Sequence, residues 1–542
     1  MTTQAPIVEG NTPAERLIHD KRFFGHPVGL MNLFSTEMWE RFSYYGMRAI
    51  LLYFITDTVA NHGLGIGDGL GMAIVSVYGT AVYLLSIVGG WVADRMIGAY
   101  KSVFVGGCVI ALGHVLLALP YAPGSWAGIC CVALGTGLLK PNVSSMVGEL
   151  YEKTDPRRQS AFSIFYMGIN VGALLSPLIV GWVRARWGYH AGFSVAAVGM
   201  AIALVSFLAT RNHLAGAGDY VNNPIELEER PAIIRMVLLV AAGIVALYFI
   251  FAIFNGIGIQ ALVNMMSLVA IITPIAFFVV MYRSPKVTHP EKSRLLAYIP
   301  IFVAAMLFFM IFEQAATTLA DYANKNTELS FLGMTLTPES FQSVNSIFII
   351  LLTPVFAALW LKTKDRPAAP YKFAIGLAFA ALSFLFLAAM SGAAGVTATN
   401  DAQTGAWVLG LVYVIQTIGE LFVSPVGLAT TALLAPVAFR SQAMALWFLC
   451  SATGQAITAQ LVQFTEGMAP TPFFGGIGAV TLVFAGITAL LSPWMVKKMR
   501  SADEEEALAA PVIPDATEGG IGKITTVIPK VEPRRRNRRN KE

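Results

Sequence analysis

Long apolar segments alternate with short polar segments along almost the whole chain. Each apolar segment is about 20 to 30 residues long, which is the length that a helix needs to cross the hydrocarbon core of a bilayer. Reading these segments in hydropathy windows predicts fourteen membrane-spanning helices. The predicted spans are 28–56, 73–96, 102–121, 127–150, 161–183, 191–210, 232–254, 261–282, 296–320, 342–361, 373–391, 405–434, 440–464 and 473–496.

The composition supports a membrane protein. The 542 residues are 56% hydrophobic and 13% charged, with a mean hydropathy of +0.64. A soluble globular domain carries about 25% charged residues, so the soluble class is excluded. The net charge of +5 gives no reason to expect a nucleic-acid partner. The four cysteines lie in apolar segments and predict neither a disulfide framework nor a metal site.

The loops on one side of the predicted membrane region carry most of the Lys and Arg residues. Their clusters are Arg95/Lys101, Lys153/Arg157/Arg158, Arg283/Lys286/Lys292/Arg294, Lys362/Lys364/Arg366/Lys372 and Lys497/Lys498/Arg500. The loops on the opposite side are nearly free of them. Because positively charged loops stay inside the cell, both termini are predicted to be cytoplasmic.

The predicted hairpin 232–282 contains only one charged residue, Arg235, which indicates a peripheral position. Without this hairpin the chain has six spans, a connection and six spans, as expected of a transporter built from repeats. The predicted organisation is an N-terminal cytoplasmic tail (1–24), a six-helix bundle (25–212), a linker with the inserted hairpin (213–290), a second six-helix bundle (291–500) and a disordered cytoplasmic tail (501–542).

The first span carries polar side chains on one helical face, where lipid would favour none. Residues 37, 40, 41, 44, 45 and 48 share this face, because a helix turns once in 3.6 residues. They are Glu37, Glu40, Arg41, Tyr44, Tyr45 and Arg48. Charges at membrane depth face a polar cavity or a partner. The pattern therefore predicts a water-accessible interior, with a structural ion-pair ladder as the alternative.

Three further ionisable residues interrupt apolar segments at depth: Lys140, Glu313 and Glu420. A lysine there needs a carboxylate or an anionic substrate group, and a carboxylate there is either protonated or paired. We expect Arg48 to pair with Glu313. These residues are candidates for substrate binding and proton transfer, and structural pairing without transport is the alternative.

Polar residues without charge add weaker candidates. Asn170 and Asn345 can hydrogen-bond a ligand or a neighbouring helix. Tyr83 and Trp447 can line a cavity or pack in the core.

The segment between the second and third spans contains Asp94, Arg95 and Lys101. We expect these charges to form a cytoplasmic gate that stabilises one conformation. His114 has no charged neighbour at helical spacing, so we assign it a structural role.

Five motifs, in sequence order, resemble the proton-dependent oligopeptide transporter family of the major facilitator superfamily. They are Glu37-x-x-Glu40-Arg41-Phe-x-Tyr44-Tyr45-Gly46, Gly89-x-x-x-Ala93-Asp94-x-x-x-Gly98, Lys140-Pro141-Asn142, Phe165-Tyr166-x-x-Ile-Asn170-x-Gly172 and Gly419-Glu420-Leu-x-x-Ser424-Pro425-x-Gly427-Leu. The inserted hairpin looks like that of the bacterial members. Departures from the family pattern are Ala173 for Ser, Ser102-Val103 for Thr-Ile and Ser346 for Pro.

The resemblance implies an all-α major facilitator fold and proton-coupled import of di- and tripeptides across a bacterial inner membrane. It implies no cofactor, with protons as the coupling ion, and we expect a monomer. The same resemblance implies that Arg41 and Lys140 bind the peptide carboxylate, and that Glu420, with Asn170 and Asn345, binds the amino group. It implies that the side-chain pockets are lined by Tyr44, Tyr45, Tyr83 and Trp447. It also implies that protons are carried by Glu37, Glu40 and Glu313, with Glu313 paired to Arg48.

Three alternative functions remain at this stage. The same scaffold could carry another solute, such as nitrate or a peptide-like drug. A peptide sensor would bind without transport. A membrane-embedded enzyme is disfavoured, because the ionisable groups are dispersed at depth and no long catalytic loop is present.

Overall fold

The computed structural model of the chain describes residues 12–509, except 153, 365 and 401. By length and composition, thirteen of its helices could cross a membrane. The helix Val28–Thr56 is also 29 residues long but carries four charged residues, and it makes the fourteenth long helix of the described chain. These helices are α1 (Val28–Thr56), α2 (Asp68–Val92), α3 (Ala99–Ala118), α4 (Ala122–Glu149), α5 (Arg157–Trp187), α6 (Tyr189–Ala209), α7 (Arg230–Asn255), α8 (Ile259–Arg283), α9 (His289–Phe312), α10 (Gln342–Thr363), α11 (Ala369–Ala393), α12 (Ala406–Leu434), α13 (Arg440–Phe464) and α14 (Pro470–Ala509).

Short elements connect or extend the long helices. They are the helices Pro13–Leu17 and Thr318–Lys325, a π-helical turn Ala93–Ile97, and the 3-10 turns Val59–Asn61, Arg211–Leu214, Glu313–Ala316, Pro338–Phe341 and Val437–Phe439. Strand β1 (Thr327–Glu328) pairs in parallel with β4 (Thr404–Gly405), and β2 (Ser330–Phe331) pairs antiparallel with β3 (Met334–Thr335). We name the face at which α1 begins the terminal face, and the face at which it ends the distal face.

Two apolar cores divide the molecule into halves. Side chains of α1–α6 build most of the first core, with Leu33 and Phe54 fully buried in it. Side chains of α9–α14 build most of the second, with Phe308 and Phe384 fully buried. In the first half α1 packs on α5 and α6, and in the second α11 packs on α12 and α14. Each half therefore has its own hydrophobic interior.

The halves meet along two seams, α2 against α13 and α5 against α10. At the first seam, a Cβ on Gly79 would lie 1.8 Å from the amide of Gln455, so a larger residue there would displace that side chain. Thr80 beside it donates to the Ala452 carbonyl at 3.1 Å. At the second seam, Ser343 donates to the carbonyl of Leu174 at 2.8 Å. The seams are thus tied by hydrogen bonds as well as by packing.

The inserted hairpin lies on the outside of the first seam. Its helix α8 packs on α13 and α2, whereas most side chains of α7 are exposed. Polar side chains attach α8 to α13: Gln460 donates to Asn264 at 3.1 Å and to Ser267 at 2.9 Å. A hydrogen bond between side-chain amides is stable in an apolar surrounding, because neither group is left unpaired.

The segment before α1 packs on the terminal face. Leu17 is buried, and the guanidinium of Arg157 donates to the carbonyls of Ile18 and Asp20, at 3.1 Å each. The same guanidinium donates to Asp155, which holds the pKa of that carboxyl below its usual value. Part of the predicted N-terminal tail is therefore ordered on the first half.

The last helix extends past the predicted start of the C-terminal tail. Helix α14 continues to Ala509, although the tail was predicted to be disordered from residue 501. Glu and Ala, which dominate residues 502–509, are strong helix formers, so the helix propagates into this segment. Residues 510–542, which contain the rest of the predicted tail, lie outside the described chain.

Replacing Gly454 by valine is expected to destabilise the second half. A Cβ on Gly454 would lie 2.7 Å from the backbone nitrogen of Met310, so α9 and α13 must move apart. Overpacking of this kind costs roughly 1–3 kcal/mol. Thermal unfolding in detergent should show a lower midpoint for Gly454→Val. Gly486→Val is the control, because no atom lies within 4 Å of a Cβ there. Equal midpoints for both variants would contradict the packing.

Candidate functional site

The charged face of α1 forms a buried triad. The Arg41 guanidinium lies 3.1 Å from Glu37 and 2.5 Å from Glu40, and all three side chains are nearly inaccessible to solvent. Helical spacing places Glu37 and Arg41 one turn apart, and Glu40 precedes Arg41 directly. A buried cation between two carboxylates is stable only while the pairing lasts. In this structure Arg41 is therefore engaged by its own helix.

Aromatic side chains extend the triad towards the second half. The Arg41 guanidinium lies 5.3 Å from the ring centre of Tyr44, and the rings of Tyr44 and Tyr45 are in edge contact at 5.2 Å. Tyr45 is close enough to interact electrostatically with charged residues of both halves, namely Arg41, Arg48, Glu313 and Glu420.

A second charge cluster joins the halves. Arg48 of α1 lies 2.5 Å from the Glu313 carboxylate, so the structure brings together the predicted pair. Tyr83 of α2 and Ser451 of α13 both donate to the other carboxylate oxygen, at 3.3 and 2.8 Å. Glu313 lies at the end of α9, where the helix tightens into a 3-10 turn. One carboxylate thus receives hydrogen bonds from three helices.

Lys140 of α4 has no carboxylate partner within the described chain. Its ammonium group lies 4.2 Å from the ring centre of Tyr83, a cation–π contact. Pro141 follows it, and the Asn142 amide donates to the carbonyls of Gly89 and Leu138. These contacts fix the helix around Lys140, whose ammonium group forms no ion pair with a described residue.

Glu420 of α12 is the central charged residue of the second half that, like Lys140, forms no ion pair with a described residue. Asn345 of α10 donates to its carboxylate at 2.9 Å and to Thr417 at 3.0 Å. Among the residues that the structure describes, no cation pairs with Glu420. Within the described residues, Lys140 and Glu420 are therefore the two central charged groups, one in each half, that form no ion pair.

Two predicted binding residues make other contacts. The Asn170 amide donates to the carbonyl of Tyr166 in its own helix. Trp447 is 7% exposed and packs against Phe309, and a Cβ on Gly427 would lie 2.0 Å from its ring. The substrate roles of Asn170 and Trp447 stay predictions.

The predicted gate residues bind the linker rather than each other. Asn222 donates to the Asp94 carboxylate at 3.1 Å, and Arg95 pairs with Glu229 just before α7. The Lys101 side chain is exposed. Within the described residues, no ion pair joins the two halves at the terminal face. A gating role for Asp94, Arg95 and Lys101 stays a prediction.

Ion pairs do join the halves at the distal face. Arg184 of α5 lies 2.6 Å from Glu339, whose side chain is fully buried. Asp68 at the start of α2 pairs with Lys325 at 2.6 Å, and both are about half exposed. The backbone N–H of Gly69 donates to Glu466 at 3.3 Å. The distal face is closed by these contacts.

An open cavity of about 650 Å³ lies at the distal face, outside this closure. Its lining includes Asp68, Asp321, Lys325 and Glu466. None of the central charges lines it. We therefore place the candidate site at the central charges between the halves.

Comparisons with known proteins agree with this architecture. A sequence profile described as the POT family matches residues 100–480. An uncharacterized transporter of Bacillus subtilis, YclF, is 45% identical over 489 residues, covering 89% of this chain and 97% of the relative. A di-/tripeptide transporter of Lactococcus lactis is 41% identical over 490 residues, covering 89% and 98%.

Solved structures share the fold. A peptide transporter POT in complex with sulfate superposes with a TM-score of 0.84 at 47% identity, over 89% of this chain and 97% of that one. A POT family transporter in complex with 5-aminolevulinic acid gives 0.83 at 37% identity, over 88% and 98%. The predicted all-α membrane fold is thereby confirmed. These proteins are named as transporters, which sets the membrane-enzyme alternative aside.

Proposed function

The chain belongs to the POT family of membrane transporters, and we propose that it is a proton-coupled symporter of di- and tripeptides. The observation that carries the proposal is the pair of central charges without an ionic partner, Lys140 in the first half and Glu420 in the second. A zwitterionic peptide supplies both missing partners at once. The name of the Lactococcus relative supports peptides of two or three residues as the substrate class.

Recognition follows from the constant ends of a peptide. The carboxylate of the peptide binds Lys140, and its ammonium group binds Glu420, which Asn345 already orients at 2.9 Å. Arg41 joins the carboxylate site when protons neutralise Glu37 and Glu40, because its guanidinium is then released. Because these contacts involve only the two ends of the peptide, they do not select among side chains, and peptides of many sequences are accepted.

Proton coupling uses the ion pair between the halves. While Glu313 is ionised, Arg48 holds α1 to the second half at the distal side. A proton on Glu313 removes the charge that retains Arg48, and the seam can separate. Release of that proton to the other side restores the pair and closes the distal face. The conformation of the distal face is thus linked to the protonation of Glu313.

The orientation in the membrane follows from the loop charges. The terminal face, with the Lys and Arg clusters, is cytoplasmic in our proposal, and the distal face is periplasmic. The host is the inner membrane of a bacterium, with both termini in the cytoplasm. An inside-negative potential contributes about 2.3 kcal/mol per positive charge per 100 mV, so net proton influx can drive peptide accumulation.

The proposal is tested with purified protein in liposomes and labelled dialanine. With an inward proton gradient, we expect dialanine to accumulate above its external concentration, and an ionophore that dissipates the gradient should abolish accumulation. Unlabelled nitrate or a peptide-like drug that competes better than dialanine would favour another solute. Binding of dialanine without flux would favour a sensor.

Replacing Glu339 by glutamine is expected to open the periplasmic face. The partly buried Arg184 guanidinium then loses the opposite charge that holds it to the second half, which disfavours the closed face. A cysteine at Ser343, behind this pair, should react about tenfold faster with a membrane-impermeant maleimide. The measurement uses a background without the native cysteines.

Asp68→Asn is the matched control for this experiment. The ion pair of Asp68 with Lys325 is about half exposed, and such pairs contribute about 0–1 kcal/mol. Its effect on labelling should stay below about fivefold. A larger effect for Asp68→Asn than for Glu339→Gln would show that the buried pair is not the main closure.

A further inference from the structure

Glu313 has a hydrogen-bond partner in its own half that the mechanism above does not use. The Ser451 hydroxyl of α13 donates to its carboxylate at 2.8 Å, opposite the oxygen that Arg48 contacts. Ser451 is 2% exposed, and Gln455 one turn later donates weakly to it at 3.5 Å. The hydroxyl is therefore directed at the carboxylate and not at water.

Ser451 and Glu313 are held together independently of the first half. Gly454 approaches α9 so closely that a Cβ would lie 2.7 Å from the Met310 nitrogen. Thr458 donates to the carbonyl of the same Met310 at 3.1 Å. These contacts fix α13 on α9 in the two turns of α13 that follow Ser451. When the halves separate, Ser451 and Glu313 stay together.

The other two partners of Glu313 belong to the first half. Arg48 lies on α1 and Tyr83 on α2, so opening of the distal face withdraws both from the carboxyl. A buried carboxyl that loses all its hydrogen bonds at once would be free to change rotamer. Its desolvation would then be uncompensated and unfavourable. Ser451 is the partner that prevents this.

We propose that Ser451 is a positioning residue for proton coupling: it holds the Glu313 carboxyl in place while Arg48 and Tyr83 withdraw, and it sets the pH at which that carboxyl exchanges its proton. A hydroxyl can donate to a carboxylate and also donate to, or accept from, a carboxylic acid, so Ser451 serves both states. In the step, a proton from periplasmic water binds the oxygen that Arg48 leaves. The same proton later passes to cytoplasmic water, and Arg48 returns.

The proposal rests on the proton-coupled function proposed above, and it concerns one hydrogen bond among several charges. The charged and titratable groups facing Glu313 come from four other helices: Arg48, Tyr44 and Tyr45 on α1, Tyr83 on α2, Lys140 on α4 and Glu420 on α12. Ser451→Ala keeps all of these groups, and among them only Tyr83 also loses a contact with the Ser451 hydroxyl. A shift in pH dependence can therefore be assigned to the lost hydroxyl.

The test is the pH dependence of gradient-driven dialanine uptake in liposomes. Ser451→Ala removes a donor to the carboxylate, which disfavours its ionised form. We expect the external pH of half-maximal uptake to move upward by about one unit, with peptide exchange at equal pH retained. Ser451→Thr, which keeps the hydroxyl, should restore the wild-type value. A wild-type pH profile for Ser451→Ala would overturn the proposal.

The matched control is Ser492→Ala on α14. Ser492 is also fully buried, but its hydroxyl donates to the Thr488 carbonyl within its own helix. Its pH profile should equal that of the wild type. An equal shift in Ser492→Ala and Ser451→Ala would refute a specific role for Ser451.

A second readout does not depend on transport. Infrared difference spectra taken across pH contain a carboxyl band that is assigned to Glu313 by its loss in Glu313→Gln. The midpoint of this band should move upward in Ser451→Ala, and an unchanged midpoint would overturn the proposal. Failure of the proposed function would look different: the wild type would not accumulate dialanine, although its carboxyl band still titrated.

Discussion

Glu313→Gln is expected to abolish accumulation of dialanine against its concentration gradient, while exchange of labelled for unlabelled dialanine continues. Glutamine keeps the size of the side chain and its contact with Ser451, but it cannot bind and release a proton. Without that step, the proton gradient no longer biases the movement of the halves. Exchange needs only the return of the loaded carrier, which does not require a net proton. Liposomes with and without an imposed gradient separate the two activities.

Glu466→Gln is the control for this variant. It makes the same chemical change at an exposed carboxylate of the distal face, which accepts a hydrogen bond from the backbone N–H of Gly69. Gradient-driven accumulation should persist in it. If Glu313→Gln accumulated dialanine as strongly as Glu466→Gln, proton coupling would have to use another group.

Glu420→Gln is expected to lower kcat/KM for dialanine about 100-fold, the loss caused by removing a charge-assisted hydrogen bond of about 3 kcal/mol. The substrate ammonium would then meet an amide in place of a carboxylate. The discriminating substrate is N-acetyl-dialanine, which has no ammonium group. The wild type should prefer dialanine strongly, and Glu420→Gln should lose most of this preference.

Lys140→Gln gives the mirror experiment at the other end of the peptide. It should lose the preference for dialanine over dialanine amide, which has no carboxylate, and keep the preference for a free amino group. The two variants therefore serve as controls for each other. If both lost selectivity for the same peptide end, Lys140 and Glu420 would not bind opposite ends.

The charged residues of the candidate site stand out in the sequence because each one breaks an apolar segment. Glu313 stands in a run rich in Phe, and Glu420 is the only charged residue of its span. Both are conspicuous because a charge inside the membrane is energetically unfavourable. Arg48 was predicted as the partner of Glu313 for the same reason, and the structure joins them at 2.5 Å. Charged residues at membrane depth can be recognised from the sequence, because few structural roles explain a side chain that is so unfavourable there.

The roles of small polar residues could not be predicted from the sequence. Serines are common in membrane helices and most often bond their own backbone, so nothing in the pattern distinguished Ser451. Its role depends on the register of α13 against α9, which Gly454 fixes and apolar periodicity does not encode. The partners of Asp94 and Arg95 were missed for a similar reason, because hydropathy does not position the linker that binds them.

Helix ends were also less predictable than helix existence. The span predicted at 296–320 begins at His289 in the structure, where Thr288 and Glu291 cap the helix reciprocally. It then breaks at Glu313 into a 3-10 turn, although the apolar pattern continues through the break. Capping and tertiary contacts, and not hydropathy, determine such boundaries.

A structure of the protein with a bound tripeptide tests the account most directly. The peptide should lie between the halves, with its ammonium group within hydrogen-bond distance of Glu420 and its carboxylate beside Lys140. A peptide bound in the reverse direction, or held in the distal cavity away from both charges, would contradict it.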